Sequence, residues 1–377
     1  MGVITGALGQ PWRADVTEWG AVVPWDGSGA LDWHVAADDR WHTPEREVAV
    51  RQRRLLGAPV AETRLRIPGG DAVHRVWTVA DDGGCTLVEV TNDSPLPIAC
   101  AFTRRDVLTS RPPAAVPIEG IDLPAATTIV MPIAHRTSVT IGLPHDGRGP
   151  GTLPAGLPTA EATARGWVAL AERASRLVLP DEDEVERLIA ARCELLLAGP
   201  PEDPVGYLLG VGELVRMGEV DDPIALVPDV ATAVEAVARC HGSDVAAALD
   251  AAGMVLARAG ESRALLDLGA IRLGIRDDPR PETDRAQIGE VERRLARGPV
   301  LLPEGMPAAW VGSNFEAHGL VAGPATSLSY AVRWHGANPA VLWQVDGDPV
   351  ELTAPAVDPS WRTRDPSGEA LWRLSGG

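Results

Sequence analysis

The spacing of apolar residues changes twice along the chain, and this change constrains the fold more than any other feature. In residues 1–150 the period is two. Ala61-Glu62-Thr63-Arg64-Leu65-Arg66-Ile67 alternates polar and apolar side chains, the pattern of a strand with one wet face. Pro68-Gly69-Gly70-Asp71 turns the chain into Val73–Val79, and Asp81-Asp82-Gly83-Gly84 turns it into Thr86–Val90. Further strands are expected at Ile98–Phe102, Thr127–Met131 and Thr137–Leu143. Short strands at this spacing point to an antiparallel sandwich. Gly and Pro dominate the stretch up to Pro158, and residues 151–158 read as a linker.

Residues 159–298 repeat at helical spacing. Val185, Leu188, Ile189, Arg192 and Leu196 share one helix face, and Asp181 with Glu184 resembles a capping box ahead of it. Val230, Ala233, Val234 and Val237 form a second stripe, and Val245, Leu249, Ala252 and Leu256 a third. Leu265, Leu268 and Gly269 begin a fourth. Glycines 199, 218, 242, 260, 274 and 298 stand where helices are expected to end, because glycine adopts the left-handed conformation without a Cβ clash. About seven antiparallel helices with short connections result. In residues 299–377 the period of two returns. Leu328, Tyr330, Val332 and Trp334 alternate with Ser327, Ser329, Arg333 and His335, and turns at Gly336–Pro339 and Asp346–Pro349 flank another strand. The expected fold class is α+β, with the C-terminal β segment packing on the other domains. Tryptophan follows the same division: of 12, six lie in residues 1–77 and five in 310–372, which suggests that the two β ends meet.

Composition excludes several function classes. Lysine is absent, so all 34 basic residues are arginine. That removes the lysine-based phosphate loop and Schiff-base chemistry. The net charge of −18 comes from acidic excess in every segment, which leaves no footprint for nucleic acid or anionic lipid. No apolar run reaches the roughly 20 residues of a membrane-spanning helix, and no leader pattern opens the chain, so a cytoplasmic location is expected. Cys85, Cys100, Cys193 and Cys240 are too far apart in sequence for a zinc motif and are expected reduced; only Cys240 has a neighbouring histidine, His241. Hydrolase, metalloprotease and dinucleotide motifs are absent from the sequence. No cofactor is expected.

Two clusters carry candidate chemistry. Leu31–His42 contains Trp33, Asp38, Asp39, Arg40 and Trp41. Indole faces stack on sugars and charged groups bind hydroxyls, so the cluster reads either as a sugar subsite or as a strand with core tryptophans and a charged turn. Nothing in the spacing of Asp38, Asp39 and His42 requires a metal. In the second cluster, Glu316 is a candidate acid or base held by His318 or Arg333, and His318, Arg333, Trp334 and His335 are candidate substrate-binding residues. The alternative is an ion-paired surface over a core tryptophan. Glu202, Asp203, Glu219, Asp221, Asp222 and Glu261 crowd the helix connections, where capping explains acidic residues. Arg51, Gln52, Arg53 and Arg54 form a small basic run suited to a phosphate, an acidic partner or internal ion pairs. Asn92-Asp93-Ser94 fits a glycosylation sequon but reads as a turn before Pro95.

Arg66–Val76, Val88–Pro97, Phe315–Gly319 and Ala331–Gly336 together resemble bacterial relatives of glucoamylase-like and glycogen-debranching-like enzymes, the six-hairpin glycosidases. The resemblance implies a β-supersandwich, a linker and a toroid of paired helices, sometimes followed by a C-terminal β piece. It also implies a carbohydrate ligand such as an oligosaccharide, bound or hydrolysed by a carboxylate pair. The chain departs from that plan: a full toroid has twelve helices, and no residue aligns with either catalytic carboxylate. The second expectation is therefore a non-catalytic structural or interaction module. Its shortened helical array would be covered by the C-terminal β segment, a protein partner or a second copy.

Overall fold

The computed structural model describes residues 2–115, 118–239, 243–274, 287–336 and 338–373. The fold is α+β, with seven α-helices and several largely antiparallel sheets among the described residues. The chain divides into two compact units, Met1–Val168 and Ala169–Gly377.

The first unit is built from three sheets. The largest has seven strands in the order Gly151–Thr152, Leu108–Thr109, Ser138–Pro144, Cys85–Asn92, Gly70–Val79, Ala61–Ile67 and Val50–Arg54. A four-stranded sheet orders Ile129–Ile133, Ile98–Phe102, Trp33–Ala36 and Trp41–His42, and a three-stranded sheet opens the chain. One core draws on all three: Val16 and Val22, then Trp33, Phe102 and Met131, then Leu65, Val76, Val88 and Ile141. Each large side chain buried here contributes about 1.5–3 kcal/mol. The expected strands over 61–67 and 98–102 form with those bounds. Gly151–Thr152, in the expected linker, adds an edge strand by pairing parallel to Leu108–Thr109. Asn92 is buried, and its amide donates to the carbonyls of Leu96 (2.7 Å), Ile133 and Ala134 (both 3.3 Å). The sequon asparagine is thus a turn anchor enclosed by the fold.

Helix α1 (Ala160–Ala171) leads into the second unit, which contains α2 (Glu182–Ala198), α3 (Pro204–Met217), α4 (Val227–Val237), α5 (Ser243–Arg258), α6 (Ser262–Gly274) and α7 (Gln287–Leu295). Asp181 caps α2 by accepting from Asp183 N at 3.1 Å, and Asp203 caps α3 by accepting from Gly206 N at 3.0 Å. Asp222 accepts from Ile224 N at 3.0 Å. These three acids serve the caps that sequence position suggests. Gly218 ends α3 in the left-handed region at φ 76°. Gly298 does not end a helix. The chain passes from α7 directly into a short strand, Ala296–Arg297, and Gly298 makes the turn to Val300–Leu301. Gly242, Cys240 and His241 lie outside the described residues.

The apolar stripes of α3, α4 and α5 meet in one helical core, with Leu208, Val211, Val230, Val234, Leu249 and Val255 among its members. A second core lies on an antiparallel five-stranded sheet ordered Arg176–Val178, Phe315–Gly323, Thr326–His335, Asn338–Gly347 and Ser367–Leu371. It includes Leu188 from α2 and Leu295 from α7. Helical and C-terminal β segments thus share one unit, and Arg176–Val178 pairs with Val178 opposite Glu316 and Arg176 opposite His318. Helix α6 leaves Leu266 and Leu273 exposed. No helix among the described residues is long and apolar enough to cross a membrane.

Candidate functional site

The structure separates the sequence candidates into three environments. Trp33 belongs to the core of the first unit at 2 % exposure. Its ring stacks on His74 with centroids 4.4 Å apart, and its N–H donates to the Trp19 carbonyl at 2.9 Å. Gly20 makes this packing feasible: at φ 92°, a Cβ there would stand 2.9 Å from Trp33 Nε1. Trp33 therefore offers no ring face to a sugar. His74 is buried with Trp33, and burial pushes its imidazole down to about 3.

Asp38, Asp39 and Arg40 are exposed on the turn between Trp33–Ala36 and Trp41–His42. Asp39 Oδ1 lies 3.0 Å from His42 Nε2, and Glu47 Oε1 lies 3.1 Å from His42 Nδ1. Arg40 Nη1 donates to Glu47 at 2.6 Å. The hydrogen bond to His42 holds the Asp39 carboxyl below its usual range, and the bond from Arg40 does the same for Glu47. Both acids are ionised and engaged. Trp41 is half-buried and donates to the Glu119 carbonyl at 2.8 Å. Among the described residues, no group of three or more His, Cys, Asp or Glu side chains is placed to hold a metal ion.

Glu316, His318 and Arg333 do come together, on the five-stranded sheet of the second unit. The period of two puts Glu316 and His318 on one strand face, with Arg333 diagonal to Glu316 on the neighbouring strand. Glu316 Oε2 lies 2.8 Å from His318 Nε2, and Arg333 Nη2 donates to the other oxygen. These two bonds hold the Glu316 carboxyl below the usual carboxylate range. An ionised carboxylate with both oxygens engaged is not a proton donor. Trp334 faces the other way and packs half-buried on the core. His335 lies in the strand, with its side chain outside the described residues.

A large concave feature lies elsewhere, within the second unit. A cavity of about 1400 Å³ is lined by α3, α5, α6 and α7, and by residues from 296–304 and 320–324. Leu209, Leu249, Met254, Leu265, Leu268 and Leu320 supply apolar wall. Exposed Gly269 places part of the lining at the surface. Part of the wall is a buried ionic network. Arg216 donates to Glu213, and at 2.6 Å and 2.9 Å to both oxygens of Glu292. It also donates to the carbonyls of Ala174 (3.0 Å) and Gly319 (3.1 Å). Behind it, fully buried Arg192 donates to Glu213 at 2.9 Å, Glu292 at 2.8 Å and Ser175 Oγ at 3.0 Å. Ser175 Oγ donates to Glu292. Burial pushes the Glu292 carboxyl up, but Arg216 and Arg192 outweigh it and hold the group well below its ordinary value. Arg216 is held correspondingly high by Glu213 and Glu292, against its own burial.

This network fixes α2, α3 and α7 against the sheet strand Phe315–Gly323. Both oxygens of Glu213 and both of Glu292 are engaged by arginine. Sequence reading missed the network, though a signal was present. Arg192 sits within the apolar stripe of α2, and Glu213 and Arg216 stand three apart in the otherwise apolar α3. A charge on an inward face needs a buried partner.

No protein-family model and no curated protein matches the chain.

Proposed function

We propose that this protein binds a small ligand in the cavity of its second unit and does no chemistry on it. The observation that carries the reading is the cavity itself: a largely apolar chamber with a fixed, fully paired polar wall. Its volume exceeds the roughly 300–1,000 Å³ of ordinary ligand pockets, so a ligand of substantial size fits. Glu292, the carboxylate of that wall, has both oxygens engaged by arginine, which favours binding over acid catalysis.

The test is a thermal-shift screen of the purified chain against mixed small molecules and oligosaccharides. Gly269→Trp is run in parallel, because a Cβ at helical Gly269 meets nothing within 4 Å and an indole there occludes the cavity. Ligands that raise the midpoint of the wild type but not of the variant support the reading. Turnover of a glycoside that Glu316→Gln abolishes would contradict it.

A second reading keeps the carbohydrate expectation and places it on the first unit. There, Trp25 is 49 % exposed and its N–H donates to Asp15 at 2.8 Å, an indole face beside a carboxylate. The one core shared by several sheets in that unit supports the β-supersandwich, and the seven helices support a shortened toroid. An oligosaccharide shift lost in Trp25→Ala and retained in Gly269→Trp would favour this reading.

A further inference from the structure

We propose that the edge strand Val50–Arg54 of the first unit is a docking site for an acidic, extended segment of another protein, which adds to the seven-stranded sheet as a further strand. The site lies in the first unit and stands or falls without the cavity reading.

Val50–Arg54 ends the sheet. It pairs with Ala61–Ile67 on one side, and among the described residues no strand pairs with it on the other. Two bonds fix the phase of its ladder. Arg66 N donates to Ala49 O at 3.3 Å, and Leu55 N donates to Val60 O at 3.0 Å. Bonding alternates along an antiparallel pair, so Arg51 and Arg53 turn their backbone groups toward Ala61–Ile67. Val50 and Gln52 turn theirs away from the sheet, where an added strand would meet them.

Side chains alternate with the same period. Val50 and Gln52 are half-buried on the core face, where Val50 packs on the core and Gln52 donates to Thr17 O at 2.6 Å and Thr63 Oγ1 at 3.0 Å. Arg51 and Arg53 stand exposed on the opposite face. Arg51 has no ion pair or side-chain hydrogen bond among the described residues. Arg53, 66 % exposed, shares Glu62 with Arg64 and Arg75. On the same face of the neighbouring strand, Arg64 and Arg66 share Asp71. Arginines thus crowd this corner of the sheet in a chain whose net charge is −18.

That charge chooses the occupant. A second copy paired edge to edge about a two-fold axis would set Arg51 against Arg53, and like charges directly opposite each other are unfavourable. A strand with a carboxylate at every second position sets those carboxylates opposite Arg51 and Arg53. Its intervening apolar residues continue the core face beside Val50. The recognised pattern is therefore an alternation of acidic and apolar residues along the edge.

The experiment is fluorescence anisotropy of the full chain with a labelled peptide, Gly-Glu-Val-Glu-Val-Glu-Gly. Saturable binding is expected. The same peptide with lysine for glutamate lacks the matching charge, and one with proline for valine keeps the charge but lacks the ladder N–H groups. Each should bind about tenfold more weakly or worse. Val50→Pro removes an outward N–H and spares the ladder to Ala61–Ile67, and should weaken binding of the first peptide by a similar factor. Arg51→Glu should do the same without touching the backbone, and keeps the proposal testable if Val50→Pro fails to fold. Arg258→Glu, the same charge change at an exposed position of α5, should bind as the wild type does.

Absence of saturable binding, equal binding of the proline peptide, or undiminished binding by folded Val50→Pro would overturn strand addition. Equal losses in Arg51→Glu and Arg258→Glu would reduce the effect to net charge and overturn the site. A dimer of the free chain that sedimentation detects and Val50→Pro dissociates would place a second copy on the edge and overturn the acidic partner.

Discussion

Each unit buries charge, and the two do it differently. In the first, a single carboxylate is enclosed. Glu62 is fully buried and accepts from Arg53 and Arg64 at 3.0 Å and from Arg75 at 2.9 Å. Burial pushes its carboxyl up, yet the three arginines hold it below its ordinary value. Those arginines keep water on their other sides, with side-chain exposures of 66 %, 41 % and 25 %. In the second unit both signs are enclosed: Arg192, Arg216, Glu213 and Glu292 are two cations and two anions, none more than 9 % exposed. A hub with wet cations tolerates losing one. A closed two-by-two network does not, because any deletion leaves two buried charges of one sign sharing a single counter-charge. The first arrangement is redundant. The second specifies one geometry of α2, α3, α7 and the sheet, which is what a cavity of fixed shape requires.

Deletions of single partners break or sharpen this contrast. Arg192→Met should cost about 3–5 kcal/mol in urea unfolding, the penalty for breaking a buried pair. Combining it with Glu213→Gln should cost less than the sum of the two single changes, since the double variant removes a charge of each sign. Glu62→Gln should cost about 1.5–3 kcal/mol, the worth of a hydrogen bond to charged partners. Arg53→Ala should cost less than about 1 kcal/mol, because Glu62 retains two arginines and Arg53 is largely solvated. Equal losses for Arg192→Met and Arg53→Ala would remove the distinction between the networks.

Acid pH probes a third kind of buried group, one without a counter-charge. His74 is held neutral with its imidazole at about 3, against about 6.5 in the unfolded chain. The unfolded state takes up the proton first, so stability contributed by the neutral ring is present above about pH 6.5. It is lost as pH falls toward 3. Between pH 6.5 and 4.5 the loss is about 2 kcal/mol. His74→Phe keeps an aromatic ring against Trp33 and removes the titration, so its stability should vary less over that range. An unchanged slope in unfolding free energy against pH would refute the assignment.

Much of the fold was legible because burial and period coincide. The strand over 61–67 buries Thr63, Leu65 and Ile67 as its alternation predicts, though Glu62 on the polar face is enclosed by arginines, and Val230, Ala233, Val234 and Val237 all turn inward on α4. The closeness of Glu316, His318 and Arg333 was legible too, since residues two apart share a strand face. What Trp33 does was not: an indole on a strand suits a core and a sugar platform equally, and only the Gly20–His74 neighbourhood decides. The cavity was not legible either. Its wall gathers small and aliphatic residues from four helices and two later segments, and no local pattern announces a space between elements. Arg192 shows the same limit: the sequence marks it as misplaced on its stripe, but names none of its partners.

The central claim, that the second unit holds the ligand site, is tested most directly by methyl NMR of the chain labelled at methionine. Met254 lines the cavity, while Met131 lies in the core of the first unit. On titration with a ligand that raises the unfolding midpoint of the wild type but not of Gly269→Trp, the account predicts a saturable shift of the Met254 methyl signal with Met131 unmoved. A stationary Met254, or equal movement of Met131, would contradict it.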